Sequence, residues 1–357
     1  MALPSGLYVV GQYNPSYGGK VWRWDGSSFT QIGSWTGSYN DLRGGCLGDD
    51  GALYVGGAGG TQGHNTYGVI RRTEDGSSWT VDGSWTTLGH QVMDLCTFKG
   101  DVYAVKNNGG DYQGMQVVKR ASAGTWNVVK TVAAADAHYA HAIFVTSDGS
   151  TLIAAPSCYY TTYRSKPKWY YSTDGSSWSN GPVVSSTWNT HLVYLFHDGS
   201  NWRCHIAQSG NDYTGATLGG AFSSAGAAGH GESTPSGYCR WGRIGSDLVT
   251  SFHNARYLRR WSSGSWGNDH DFSSGDPPNI PGYRDKGGFG EWNDEMYHCV
   301  PSAESHGSPL YKESGGSWTY LADLGSNNRC NALVGVDGGR DPRLYHTMIH
   351  PPGPCAW

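Results

Sequence analysis

The sequence is poor in charge, in lysine and in long apolar runs. Charged residues make up 15% of its 357 residues, and the formal net charge is −4. Lysine occurs nine times and forms no basic stripe, so we expect no nucleic-acid partner. No apolar run of about 18 residues is present, so the sequence predicts no membrane-spanning helix.

Helical periodicity, paired-cysteine motifs and an apolar leader are also missing. Glycine, with 54 residues, interrupts nearly every window in which a helix would need an apolar period of about 3.6 residues. The eight cysteines show no CxxC or CxxH spacing, which disfavours a zinc site, and we expect no cofactor. No basic and apolar leader follows Met1, so we expect no signal peptide.

Glycine, aromatic residues and one recurring turn are abundant instead. The peptide from Asp174 to Trp178 reads DGSSW, the peptide from Asp75 to Trp79 is the same, and looser copies occur elsewhere. The aromatic positions of these copies are 44 to 52 residues apart, at Phe29, Trp79, Trp126, Trp178, Phe222, Trp266 and Trp318. Several short strands within a repeat of roughly 40 to 50 residues are typical of a β-propeller.

A short apolar segment precedes each turn, and several of these segments follow an Asp-Gly pair. The segments are Leu7–Val10, Leu53–Val55, Val102–Val105, Leu152–Ala154, Trp202–Ile206, Leu248–Val249, Met296–Tyr297 and Leu344–Tyr345. Asp-Gly pairs tolerate the positive φ that two-residue hairpins need. The pairs in this sequence are Asp50-Gly51, Asp148-Gly149, Asp198-Gly199 and Asp337-Gly338. Each repeat therefore predicts four strands, A to D, with a hairpin between A and B and the recurring turn between C and D.

These repeats predict an all-β chain in which residues 1–357 form a single domain, a seven-bladed β-propeller. The blades are expected at 1–36 together with 327–357, and at 37–87, 88–134, 135–186, 187–235, 236–282 and 283–326. The first repeat lacks strand A and the last piece supplies it, so we expect the N- and C-terminal strands to close the ring. A further strand-like segment at Leu344–His346 leaves eight blades as an alternative. In the fifth repeat the strand C pattern almost vanishes between Gly210 and Pro235, and this stretch is either a long loop over a site or a poor copy of the repeat.

The recurring turn resembles the Asp-box of sialidases and other propellers, whose pattern is S-x-D-x-G-x-x-W. Ser172-x-Asp174 is followed directly by Gly175, one residue sooner than in that pattern. The resemblance implies a structural role, in which the aspartate caps amides of the turn and the tryptophan packs between blades. It does not extend to sialidase activity, because the early arginine segment of sialidases is missing near residues 23 and 43.

Three of the cysteines have positions in the repeats or the tail that indicate their chemical state. Cys46 and Cys96 take places that Phe144 and Tyr194 fill in other repeats, so we expect buried thiols there. Cys355 lies in a proline-rich tail, where a disulfide to the body of the protein and a free thiol are both open.

Candidate functional residues lie in the loops from D to A and from B to C, which share one face of a propeller. The densest polar cluster comes from the fourth and fifth repeats, with His138, His141, Tyr160, Tyr163, Arg164, Asn189 and His191. Such residues suit β-elimination of a uronic-acid polysaccharide, because they can exchange protons and neutralise a carboxylate. The base would be His141 or His191, the acid Tyr160 or Tyr163, and the neutralising cation Arg164. A metal site at His138, His141 and His191 is disfavoured, because residues three apart on a strand face opposite sides.

Other loop residues suit sugar binding without catalysis. Aromatic rings stack on the apolar faces of sugars, and planar polar groups bind hydroxyls. The candidates are His138, Asn189, Trp188, Tyr159, Arg284, His253, Arg256 and Tyr257, and, among tryptophans outside the repeated turn, Trp202, Trp241 and Trp292. The starts of the innermost strands add Asp41, Arg43 and Gln91 to the rim of the central mouth.

The sequence favours a non-enzymatic propeller that recognises or attaches to a glycan, either extracellular or on the surface of a virion. Few lysines and abundant glycine, serine, threonine and aromatic residues are typical of such surroundings. One alternative is the polysaccharide lyase described above. The other is an architectural shell or fibre protein that assembles with itself or with virion proteins.

Overall fold

The computed structural model describes residues 2–13, 18–36, 40–60, 66–109, 113–134, 136–137, 139–146, 148–158, 168–184, 190–206, 211–227, 240–244, 247–251, 257–271, 288–300 and 307–337. Every regular element within these ranges is a β-strand, which confirms the all-β prediction. The same ranges contain no helix of the length and apolarity that crossing a bilayer requires.

The strands in chain order are β1 (Gly6–Tyr13), β2 (Gly18–Trp24), β3 (Phe29–Trp35), β4 (Leu42–Leu47), β5 (Leu53–Gly60), β6 (Thr66–Thr73), β7 (Thr80–Trp85), β8 (Val92–Phe98), β9 (Asp101–Asn107), β10 (Met115–Ser122), β11 (Thr125–Val132), β12 (Tyr139–Val145), β13 (Leu152–Cys158), β14 (Tyr170–Ser172), β15 (Ser179–Asn180), β16 (Thr190–His197), β17 (Trp202–Ile206), β18 (Asn211–Gly215), β19 (Ser223–Ala227), β20 (Arg240–Ile244), β21 (Asp247–Ser251), β22 (Tyr257–Ser262), β23 (Ser265–Asp271), β24 (Gly288–Trp292), β25 (Glu295–Cys299), β26 (Pro309–Ser314), β27 (Ser317–Asp323) and β28 (Asn328–Val336). Blade 1 consists of β28, β1, β2 and β3, and each later blade consists of the next four strands.

The ring closes through β28, which joins the N-terminal strands in blade 1. It pairs antiparallel with β1, from Gly6 opposite Val336 to Tyr13 opposite Asn328. The prediction of seven blades closed by terminal strands is therefore confirmed. The segment Leu344–His346, on which the eight-blade alternative rested, lies outside the described residues.

The recurring turn forms because one aspartate oxygen replaces the missing partners of two successive amides. Oδ1 of Asp174 accepts hydrogen bonds from the backbone amides of Ser176 at 2.8 Å and Ser177 at 2.7 Å. Asp25 makes the same contacts, and these amide hydrogen bonds lower the pKa of Asp25 to about 2. The capping role implied by the Asp-box resemblance is confirmed.

The hydrophobic core is divided among the interfaces between neighbouring blades. The tryptophans of the recurring turn lie there, and Trp79 of blade 2 donates from Nε1 to the carbonyl of Ile32 in blade 1 at 2.9 Å. Cys46 is buried between blades 2 and 3, and Cys96 between blades 3 and 4, as predicted. The blades are therefore held together by aromatic and aliphatic side chains from repeats about 50 residues apart.

The fifth repeat keeps four strands, although its sequence matches the repeat poorly. β18 and β19 supply strands C and D, as expected for a poor copy of the repeat, and residues 228–235 lie outside the described residues. Within β18, Asp212 accepts hydrogen bonds from the Tyr194 hydroxyl at 2.5 Å and from Nε1 of Trp266 at 3.0 Å. A buried polar network therefore holds this strand, and such a network leaves no apolar alternation in the sequence.

Gly175, in the recurring turn of blade 4, should tolerate alanine much less well than Gly51. Both glycines have positive φ, at 77° and 75°, so each substitution carries a backbone cost of about 1 kcal/mol. A Cβ at Gly175 would also overlap the Tyr103 hydroxyl of blade 3, whereas nothing lies within 4 Å of one at Gly51. We expect Gly175→Ala to lower the free energy of unfolding by about 2–4 kcal/mol, measured by urea denaturation. Equal losses for the two variants would contradict this packing.

Candidate functional site

Most residues predicted to act on a glycan lie outside the described ranges. They are His138, Tyr159, Tyr160, Tyr163, Arg164, Trp188, Asn189, His253, Arg256 and Arg284. Two others lie in strands: His191 in β16 opposite Ser157, and Tyr257 in β22 opposite Asp271. Their roles stay predictions.

Two of the sequence candidates are buried. His141, inside β12, has only 3% of its surface exposed, so it does not stand on the rim where the sequence places it. Trp292 is 7% exposed and donates from Nε1 to Oγ of Ser5 at 3.1 Å. A ligand cannot stack on a ring in that position, so the prediction for Trp292 is wrong. Period and spacing located both residues in the blade, but the packing of neighbouring blades decides their exposure.

A group of polar residues lies where the innermost strands of blades 2 and 3 begin. The first strands β28, β4, β8 and β12 contact one another in turn, so they line the axis. We call the face on which these strands begin the upper face. The second strand of blade 3 ends on the same face, because Val92 at the start of β8 lies opposite Lys106 near the end of β9. The group, here called the upper-face cluster, comprises Asp41, Arg43, His90, Lys106 and Asn107.

Lys106 is the most unusual member of the upper-face cluster, because its ammonium group is buried. Only 1% of its surface is exposed. Its Nζ lies 2.5 Å from Nδ1 of His90, 3.4 Å from the carbonyl of Asn107 and 5.4 Å from the ring centre of Trp85. No carboxylate in the described part of the chain forms an ion pair with it. Burial lowers the pKa of Lys106 to about 8.

The strand periodicity explains why Lys106 is buried. Val102 and Ala104 of β9 pack in the interface with blade 2, and Tyr103 and Val105 pack in the interface with blade 4. Since strand residues two apart share a face, Lys106 continues the face of Val102 and Ala104. Lys106 is not among the residues predicted from the sequence, although a lysine in phase with buried apolar positions is a detectable signal.

His90 connects this buried charge to the surface. Its Nδ1 accepts the hydrogen bond from the Lys106 ammonium, so the ring proton of the neutral imidazole is on Nε2. Burial and the neighbouring Lys106 charge both lower the pKa of His90, which keeps the ring neutral near pH 7. The partly exposed His90 therefore carries an N–H donor that a cation behind it polarises.

Arg43 and Asp41 form a partly exposed ion pair beside β8, the strand that follows His90. Nε of Arg43 lies 2.9 Å from Oδ2 of Asp41 and 3.1 Å from Oδ1, and Nη1 lies 2.9 Å from Sδ of Met93 in β8. Asn107 has a positioning role, since its Oδ1 accepts from the amide of Ala140 in blade 4 at 2.9 Å. The upper-face cluster thus offers planar donors and acceptors, which suit hydroxyl and carboxylate groups.

The described part of the chain contains no group of three or more His, Cys, Asp and Glu side chains that could hold a metal ion. His138, on which the histidine metal site depended, lies outside that part.

Comparisons with known proteins identify the fold. No family model matches the sequence, and no curated protein matches it. Among solved structures, a candidate 6-phosphogluconolactonase from Bacteroides uniformis aligns with a TM-score of 0.61 at 12% identity, over 92% of this chain and 98% of that one. A second such protein, from Bacteroides fragilis, aligns with a TM-score of 0.59 at 12% identity over 93% and 98% of the chains. A Lactobacillus plantarum protein aligns at 0.58 and 15% identity over 92% and 99%. At such identities the likeness shows the propeller fold alone.

Proposed function

We propose that the protein binds an acidic glycan, a sugar chain that carries carboxylates, at the upper-face cluster. The observation that supports this is the buried ammonium of Lys106, which lacks a carboxylate partner among the described residues and donates to His90. A buried charge without an opposite charge is costly for a folded protein. Such groups are enriched at functional sites, where the ligand supplies the missing charge.

The geometry supports a division of roles within the cluster. A carboxylate at the surface would accept from Nε2 of His90, and Lys106 behind the ring would strengthen that hydrogen bond. Arg43 supplies a second cation on the neighbouring strand β4. Recognition of this kind needs no bond to break, so the proposal is a binding protein. A location outside the cell or on a virion would fit such a ligand and stays a prediction.

Binding to polygalacturonate and to sialylated glycans, measured by calorimetry, tests the proposal. We expect Lys106→Met to weaken binding at least tenfold, because one charge-assisted hydrogen bond is worth about 1.5–3 kcal/mol. The matched control is Lys119→Met on the same blade, since Lys119 already pairs with Asp101 at 2.6 Å, and we expect no change there. Equal binding by all three proteins would refute the site. Release of unsaturated uronate during incubation would favour the lyase instead.

Binding should also weaken as the pH rises through about 8. The charged form of Lys106 is the form that polarises His90, and its pKa is about 8 in the unliganded protein. Above that value the affinity should fall by up to about tenfold for each pH unit. The measurement is the dissociation constant between about pH 7 and pH 9.5, where glycan carboxylates stay ionised. A profile of the same slope in Lys106→Met would show that another group titrates.

A further inference from the structure

Two buried cysteines from different blades lie in the same interface, where the last strand docks. Cys299 ends β25 of blade 7, and Cys330 lies in β28, the strand that completes blade 1. Both are fully buried thiols in this structure. They belong to one apolar cluster between the two blades, and β25 and β28 contact one another directly.

Local contacts place the two cysteines in the same small region of the interface. Burial, and after it the neighbouring Cys330 side chain, raises the pKa of the Cys299 thiol. Ser308 touches both residues: its carbonyl lies 3.7 Å from Sγ of Cys299, and its Oγ lies 3.1 Å from the amide nitrogen of Cys330. Sγ of Cys330 also lies 3.7 Å from the carbonyl of Ala332. Backbone contacts on two sides therefore hold the sulfur atoms at this place in the fold.

We propose that Cys299 and Cys330 form a disulfide when the protein folds under oxidising conditions, and that this bond fixes β28 to blade 7. The co-reactant is a small-molecule disulfide such as oxidised glutathione. One cysteine thiolate attacks a sulfur of that molecule and releases one small thiol. The second cysteine thiolate then attacks the mixed disulfide and releases the other thiol. Two protons leave the protein, and the two electrons given up by the cysteines reduce the oxidant.

Burial of the two thiols determines at which stage of folding the disulfide can form. Burial raises the pKa of the Cys299 thiol well above its usual value, so little thiolate exists in the folded protein, and no oxidant reaches it there. The bond therefore forms before blade 7 closes and exchanges slowly afterwards. Since β28 provides the partner of β1, a fixed β28 keeps the ring ready to close.

The test compares the full chain refolded with oxidised and reduced glutathione against the same chain refolded with a phosphine reductant. Each sample is unfolded in acid, alkylated and digested, and the cysteine peptides are identified by mass spectrometry. We expect a joined Cys299–Cys330 pair in the first sample and two alkylated thiols in the second. The cysteines are 31 positions apart, and a cross-link of that span should raise the Tm by roughly 5–10 °C.

Two variants show whether the redox effect belongs to this pair. The double variant Cys299→Ala, Cys330→Ala should lose the difference in Tm between oxidised and reduced samples. The control Cys204→Ala replaces another fully buried cysteine and should keep it. Alkylation of both thiols in the oxidised sample, or a bond from either one to Cys355, would overturn the proposal. The peptide analysis of the unsubstituted chain decides this even where the double variant fails to fold.

Discussion

Lys106→Met should raise the free energy of unfolding of the unliganded protein by on the order of 3 kcal/mol at pH 7. Methionine fills the same apolar face of β9, beside Val102, Ala104 and the ring of Trp85, and it brings no charge out of water. The gain corresponds to the lowering of the Lys106 pKa from 10.5 to about 8. A substitution that stabilises the fold and weakens binding is the pattern expected of a residue kept for function.

The pH dependence of this effect has a defined sign. The unfolded chain holds the lysine proton up to about 10.5 and the folded chain only up to about 8. Between these values the unfolded state binds more protons, so stability rises with pH, and below about 8 the full cost is present. Urea denaturation at about pH 7 and pH 10 should show this rise in the unsubstituted protein and not in Lys106→Met.

Lys119→Met provides the control for this stability measurement. Lys119 is partly exposed and paired with Asp101, so its replacement should change stability by less than about 1 kcal/mol. A Lys106→Met protein less stable than the parent would mean that the ammonium contributes favourable contacts exceeding its cost of burial.

Asp82→Ala should lower the free energy of unfolding by about 3–5 kcal/mol. The Asp82 side chain of blade 2 is 3% exposed. It accepts hydrogen bonds from three groups of blade 3: Nε and Nη2 of Arg120, at 2.8 and 3.1 Å, Nε1 of Trp126, at 3.1 Å, and the amide of Gly124, at 3.4 Å. Alanine would remove the carboxylate that pairs with the largely buried guanidinium group of Arg120. It would also open a gap between the blades. Urea denaturation at neutral pH measures the loss.

Two further variants separate the buried charge from the general effect of losing a carboxylate. Asp101→Ala removes the more exposed partner of Lys119 in the same blade and should cost less than about 1 kcal/mol. Adding Arg120→Met to Asp82→Ala should recover part of the loss, because the unpaired guanidinium is then gone. Additive losses in the double variant would show that the two side chains stabilise the interface independently.

The two buried groups differ in how the protein neutralises them. Asp82 meets a cation and two further nitrogen donors, Nε1 of Trp126 and the amide of Gly124, all supplied by the neighbouring blade, so the interface itself completes its contacts. Lys106 meets the neutral His90, a carbonyl and an aromatic ring. This contrast within one pair of blades is why we assign Asp82 to the assembly of the ring and propose a ligand for Lys106.

The seven four-stranded blades, the turns and the closure of the ring could be predicted from the sequence. These features depend on short peptides: an aspartate caps amides two and three residues ahead, and glycine supplies the positive φ. The first repeat lacks strand A and the C-terminal segment supplies one, which predicted that β28 pairs with β1. Such features can be predicted because the residues that form them are close together in the sequence or recur at a constant period.

The side chains that meet between blades could not be predicted from the sequence. His141 and Trp292 are buried, Asp212 holds a strand that carries no apolar pattern, and His90 joins Lys106 across 16 positions. Asp82 and Trp126 are 44 positions apart, and Cys299 and Cys330 share one apolar cluster although they belong to different blades. Contacts of this kind depend on the register and relative placement of whole sheets, which no single repeat encodes. The period of the chain therefore specifies the blades, and the packing of one blade on the next specifies the site.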